Sequence, residues 1–99
     1  MMDTNYYWTK EDANGVVTVG LTQAGQSELG NITFVSLPKV NAKLTTHDTL
    51  LNVEADKAVS DIDSPIDGTV VEVNKAAEDN PSLLNEADQS KSWIAKIQK

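Results

Sequence analysis

The sequence predicts a mainly β domain, a sandwich or flattened barrel of two antiparallel sheets with short helices. Two observations carry this. Short apolar runs with period-two alternation recur along the whole chain, and turn signals separate them at regular intervals. At the centre, Leu51, Val53 and Ala55 alternate with Asn52, Glu54 and Asp56. After Lys57 the alternation resumes through Val59, Ser60, Asp61 and Ile62. Two such runs meeting at Asp56-Lys57 read as a β-hairpin with a lysine at its tip, pointing into water.

The elements follow in order. Asn5 to Lys10, with Tyr6, Tyr7 and Trp8, reads as a first strand, closed by a polar stretch ending in the hairpin signal Asn14-Gly15. Val16 to Leu21 is a second strand with Val17, Val19 and Leu21 on one face. Thr22 caps a short helix through Leu29, and Gly30 stops it. Ile32 to Leu37 is a third strand, ended by Pro38. Val40 to Leu44 and Thr49 to Ala55 are further extended pieces, and Ser64 to Gly68 forms a turn. Thr69 to Asn74 is another strand. Asn80-Pro81 starts a short helix, with Asn as cap and Pro at the first helical position. In the last strand Trp93, Ala95 and Ile97 alternate with Ser92, Ile94 and Lys96. The expected core contains Val17, Val19, Phe34, Val53, Val71 and Trp93, so truncating Phe34 or Trp93 should cost about 3–5 kcal/mol.

Composition narrows the function classes. Ninety-nine residues suit one domain with one core. The formal charge of −7 argues against general nucleic-acid binding, which needs clustered cations. There is no cysteine, hence no disulfide, thiol nucleophile or thiolate metal site. No apolar run approaches the roughly 20 residues of a membrane span. Met1 to Asn5 has neither the basic nor the apolar part of a secretory signal, so a cytoplasmic protein is the default. His47 lies beside Asp48 in a polar run with no second histidine or cysteine near it. It reads as a solvated loop residue, without a metal or catalytic role.

Glu54-Ala55-Asp56-Lys57-Ala58, followed by Val59-Ser60-Asp61, resembles the lipoyl attachment site of the glycine cleavage system H protein family. The likeness extends from Trp8 to Ile97. It takes in Thr18 to Thr22, Phe34 to Pro38, Ser64 to Asn74, and the run Glu78 to Asn85, which ordinary dehydrogenase lipoyl domains lack. The chain departs from that family's pattern in having Ala55-Asp56 where Ser-Val usually precedes the lysine. It also stops at Lys99, where the family usually continues into a helical segment, so residues 1–99 read as one short H-like lipoyl domain.

The resemblance implies a lipoyl-type fold and a non-catalytic carrier monomer. Lys57 would hold lipoic acid as an amide, placed there by a lipoate ligase or lipoyl transferase. Glu54 and Gly68 would help that enzyme recognise the hairpin, and Asp61 would face the loaded arm. The partners so implied are glycine decarboxylase, which loads an aminomethyl group, aminomethyltransferase, which removes it, and dihydrolipoamide dehydrogenase, which reoxidises the dithiol. Three other readings stand beside this one. A biotinyl domain shares the architecture but typically has Met on both sides of its lysine, where Asp56 and Ala58 stand. The others are an H-like carrier serving a different pathway or a regulatory modification system, and an unmodified interaction domain.

Overall fold

The computed structural model describes residues 7–46 and 48–99. The expectations made for Met1 to Tyr6 and for His47 lie outside the described residues. Among the described residues, eight strands form two antiparallel sheets: β1 (Tyr7–Glu11), β2 (Val16–Leu21), β3 (Ile32–Ser36), β4 (Lys43–Leu44), β5 (Thr49–Ala55), β6 (Val59–Asp63), β7 (Gly68–Val73) and β8 (Trp93–Gln98). The larger sheet has the order β1-β2-β8-β7-β4 and the smaller β3-β5-β6. The core lies between them. Val17, Val19, Leu21, Ile94 and Ile97 come from the larger sheet, and Val35, Leu51, Val53 and Ile62 from the smaller. Leu29, Ala77 and Leu84, from the helical segments, join the same cluster. None of the described helices is long and apolar enough to cross a membrane.

Local chemistry explains the short helices. In α1 (Gln23–Leu29) the Thr22 hydroxyl accepts the Gly25 N–H at 3.1 Å, as an N-cap should. Gly30 ends the helix at φ 79°, where a side chain would be strained, and returns its N–H to the Gln26 carbonyl. Sequence periodicity shows neither α2 (Lys75–Asp79) nor α3 (Gln89–Ser92), which have one turn or little more each. The helix expected from Asn80-Pro81 is a 3₁₀ segment over Pro81–Asn85. Asn80 makes no side-chain capping bond there; its oxygen accepts from the Ser82 hydroxyl instead.

Three of the expected core residues face outward or are only part-buried, each next to a β-bulge. Phe34 is 51 % exposed and Val71 43 %, while Trp93 is part-buried. In β3 the pairing jumps from Ile32↔Ala55 to Phe34↔Glu54, so Thr33 is an extra residue. Ile32 and Val35 therefore point inward and Phe34 outward. In β7 it jumps from Val70↔Ile97 to Glu72↔Lys96, which puts Val71 at a bulge. In β8 Ile94 is the extra residue between Ala95↔Val19 and Trp93↔Gly20, so Ile94 and Ala95 are both buried. Trp93 is left on the outer surface, with the Lys96 ammonium 5.5 Å from its ring centroid. The cost of Phe34→Ala is therefore that of trimming a half-exposed side chain, about 1 kcal/mol or less instead of 3–5. Val17, Val19 and Val53 are buried as expected.

Tyr7 ties the two sheets together. Its hydroxyl donates to the Asp63 carbonyl at the end of β6, at 3.1 Å. Burial, and then the nearby Asp63 carboxylate, push its phenol from 10.0 up to about 12. The folded state thus holds this proton more tightly than the unfolded chain. The associated stabilisation is complete below pH 10 and is lost as pH rises toward 12. In a Tyr6→Phe chain, where Tyr7 is the remaining phenol, ultraviolet titration should show phenolate forming near pH 12. A transition near pH 10 in the folded protein would overturn this placement.

Candidate functional site

Strands β5 and β6 form the hairpin, closed by the Ala55 N–H donating to the Ala58 carbonyl at 2.9 Å. That leaves Asp56 and Lys57 as the tip, both exposed. The tip is strapped along one side to the segment that leaves α1. The Asp56 N–H donates to the Asn31 carbonyl at 3.0 Å and the Lys57 N–H to the Leu29 carbonyl at 3.1 Å. The Lys57 ammonium donates to the Ser27 carbonyl at 3.0 Å.

Two of these acceptors, Ser27 and Leu29, belong to the end of α1, where a helix leaves its last carbonyls without intrahelical partners. Lys57 thus serves as a C-terminal cap through both its main chain and its side chain, with its charge at the favourable end of the helix dipole. Gly30 makes the close approach possible. A Cβ there would stand 3.2 Å from Lys57 Cγ and 3.4 Å from Asp56 Cβ. Asn85 holds the strap from behind: its amide donates to the Gly30 carbonyl and its oxygen accepts the Ile32 N–H, both at 2.8 Å. Sequence reasoning gave Asn85 no role, and no local pattern signals one, because its partners lie more than fifty positions away in the chain.

Beside the lysine is an open cleft of about 540 Å³, floored by Gln23, Gln26, Ser27 and Asn31. Its lining mixes polar and apolar surface, and it joins directly to the tip, with Asp56 and Lys57 in its wall. An acyl chain extending from the amine has room there, and the amine is not locked by a carboxylate among the described residues.

The other predicted site residues take different positions. Glu54 is on β5, exposed, immediately below the tip, and its carbonyl accepts the Thr33 hydroxyl at 3.1 Å. Asp61 pairs with Asn52 one row further from the tip, and the Asn52 amide donates to its carboxylate. Gly68 is not brought to the tip. It opens β7 after the turn that follows β6, at the far end of that strand. A Cβ on Gly68 would stand 2.5 Å from the Gln98 carbonyl oxygen and 2.6 Å from Ile97 Cγ2, so its need is close packing against β8.

The whole chain is similar to known proteins. The glycine cleavage H-protein family matches residues 1–99. The glycine cleavage system H protein of Aliivibrio fischeri is 43 % identical over 94 residues, 95 % of this chain and 75 % of the relative. The probable H protein of Thermococcus gammatolerans is 44 % identical, over 94 % of this chain and 69 % of its own length. The crystal structure of the H protein from Mycobacterium marinum superposes with a TM-score of 0.85 at 31 % identity, covering 97 % of this chain and 80 % of that one. The chain therefore belongs to the glycine cleavage H-protein family, the lipoyl carriers of glycine cleavage, which transport a group between enzymes and catalyse no step themselves.

Proposed function

We propose that Lys57 is the residue of this chain that takes lipoate as an amide. The lipoylated carrier would then shuttle an aminomethyl group from glycine decarboxylase to aminomethyltransferase, with dihydrolipoamide dehydrogenase closing the cycle. We place it in the cytoplasm, as a monomer. The observation that carries this reading is the hairpin tip itself: an exposed amine on a backbone fixed by two bonds, to Leu29 at the end of α1 and to Asn31 beyond it, with a third bond from the amine to Ser27. When bound, the lipoyl group supplies a dithiolane that alternates between disulfide and dithiol.

The protein's part is to hold and deliver. The strapped tip fixes the root of the arm, so the group's effective concentration at a partner's site depends on the arm alone. Acylation removes the ammonium charge but leaves one N–H, which can still donate to the Ser27 carbonyl. The cleft floored by Gln23, Gln26, Ser27 and Asn31 gives the arm somewhere to lie between visits. Asp61, held by Asn52 in the row beyond Glu54, is the carboxylate we assign to a cationic loaded arm. Gly68 would bear on lipoylation only by keeping the domain folded, through its close packing against β8.

The test is to incubate the purified chain with a lipoate ligase, lipoate and ATP, then read intact mass and map peptides. One lipoyl group on the Lys57 peptide is expected. A bare chain, or modification mapping to Lys75, would overturn the assignment. Glu54 supplies a finer prediction. As an exposed carboxylate outside any ion pair among the described residues, it should contribute little to folding. Glu54→Gln should keep its melting temperature and be lipoylated about tenfold more slowly, the cost of one charge-assisted contact. Asp79→Asn, on exposed α2, is the control and should react normally. Asp67 would be a poor control, because its carboxylate accepts the Thr46 N–H at 2.8 Å. Wild-type kinetics for Glu54→Gln would move recognition from this charge to the backbone shape of the hairpin.

A further inference from the structure

The bonds that strap the tip to α1 and the start of β3 occupy one side of the hairpin. The other side, the outer face of the β3-β5-β6 sheet, is open. Register places Phe34, Glu54 and Val59 side by side in one row across the three strands. Phe34 is 51 % and Val59 76 % exposed. With strands about 4.8 Å apart, the two apolar side chains stand roughly 10 Å apart with the carboxylate between them. The next row outward, Ser36, Asn52 and Asp61, is polar throughout. A single exposed apolar residue needs no explanation. Here two flank a carboxylate in the row at the base of the lysine tip.

We propose that the Phe34-Glu54-Val59 row is the patch on which the lipoylating enzyme docks. The enzyme's complementary surface holds one arginine or lysine between two apolar seats. This rests on Lys57 being the modified residue. An enzyme that reaches Lys57 over the outer face of the sheet must cover this row, which crosses the three strands at the base of the tip. Covering it desolvates Glu54 between two apolar contacts that exclude water, where a cation is required to match it. The surroundings carry the same sign: Asp56 is next to the row, Asp61 lies beyond it, and the whole chain is at −7. That also disfavours a second copy of the chain as occupant. A two-fold contact through this face would set Glu54, Asp56 and Asp61 against the same three carboxylates.

The experiment measures initial lipoylation rates against carrier concentration, with a purified lipoate ligase, lipoate and ATP, for the full chain and for Phe34→Ser, Val59→Ser and the double variant. Val71→Ser removes an exposed valine from the other sheet and is the control. The expected result is a KM about tenfold higher for each single variant and higher still for the double, with kcat within about twofold and the label still on Lys57. Val71→Ser should match wild type. If Phe34→Ser melts too low to assay, Val59→Ser decides alone, because so exposed a side chain is dispensable to the fold. Wild-type KM for Val59→Ser would overturn the proposal while leaving Lys57 as the lipoylated residue. So would a wild-type dimer in sedimentation that Val59→Ser renders monomeric with KM unchanged, since the patch would then serve self-association. If wild-type Lys57 is itself never modified, the carrier reading fails and the docking patch fails with it.

Discussion

Lys57→Arg is expected to fold like the parent chain and to take no lipoyl group at all. The two halves of that expectation rest on different properties of one side chain. For folding, Lys57 supplies a main-chain N–H to the Leu29 carbonyl and a cationic donor to the Ser27 carbonyl. Arginine keeps both, so the end of α1 stays capped and the melting temperature should stay within the range of a neutral surface change, about 0.5 kcal/mol. For acylation the amine must act as a nucleophile in its unprotonated form. A guanidinium, with its pKa above about 12, supplies no such form near neutral pH. The chain has eight lysines, and Lys57 alone is presented by the tip of the β5–β6 hairpin. Intact mass should therefore show no added group after prolonged incubation with ligase, lipoate and ATP. A shifted mass, with the label on any other lysine, would mean that the tip is not what the ligase selects. A lowered melting temperature would mean that the cap depends on the ammonium's shape as well as its charge. Lys57→Met completes the comparison: it removes the cation from the helix end and should cost a few tenths of a kcal/mol.

Much of this architecture is legible in the sequence, and what is not has a common physical cause. The lysine hairpin is plain because alternation through Leu51, Val53 and Ala55 is unbroken up to the tip. The start and stop of α1 are plain because Thr22 and Gly30 act within one turn of themselves. Alternation fails at Phe34, Val71 and Trp93, where an added residue on one strand reverses which face the neighbours show. A bulge is a property of two paired strands, so reading one strand at a time cannot register it. Phe34 shows the consequence for function. Taken as core, it is merely a packing residue; turned outward by the Thr33 bulge, it joins Glu54 and Val59 beside the lysine. The site divides in the same way. Lys57 and Glu54 are close in sequence and could be named together. The strap from α1 and the Asn85 clamp are long-range contacts, set by how the helical segments pack on the sheets. The resemblance assigns Gly68 to recognition of the hairpin, yet β6 carries the chain to the far end of the domain before Gly68 is reached.

Gly68→Ala is expected to lower stability by about 3 kcal/mol, at the upper end of the cost of overpacking a well-filled site. The added methyl would stand 2.5 Å from the Gln98 carbonyl oxygen, 2.6 Å from Ile97 Cγ2 and 3.0 Å from the Gln98 carbonyl carbon. Two of these three atoms are backbone of β8, which is held between β2 and β7 in the five-stranded sheet. It cannot withdraw without disturbing its pairing on both sides. Ile97 is fully buried, and interiors are close-packed, so its side chain cannot readily turn aside. Relief would have to come from β7 moving away, which loosens the Thr69↔Gln98 and Val70↔Ile97 pairs and the short β4 edge bonded to Gly68 itself. For a domain of this size that corresponds to a fall in melting temperature of roughly 10–20 °C, measurable by circular dichroism. Thr69→Ala, the next residue along the same strand, adds no atoms and should melt within a few degrees of wild type. Well below its own melting point, Gly68→Ala should be lipoylated with near-normal kinetics, because the hairpin tip lies at the opposite end of β6. Normal melting combined with slow lipoylation would reverse the assignment: Gly68 would then act directly in recognition by the ligase, and its closeness to β8 would have little bearing on the fold.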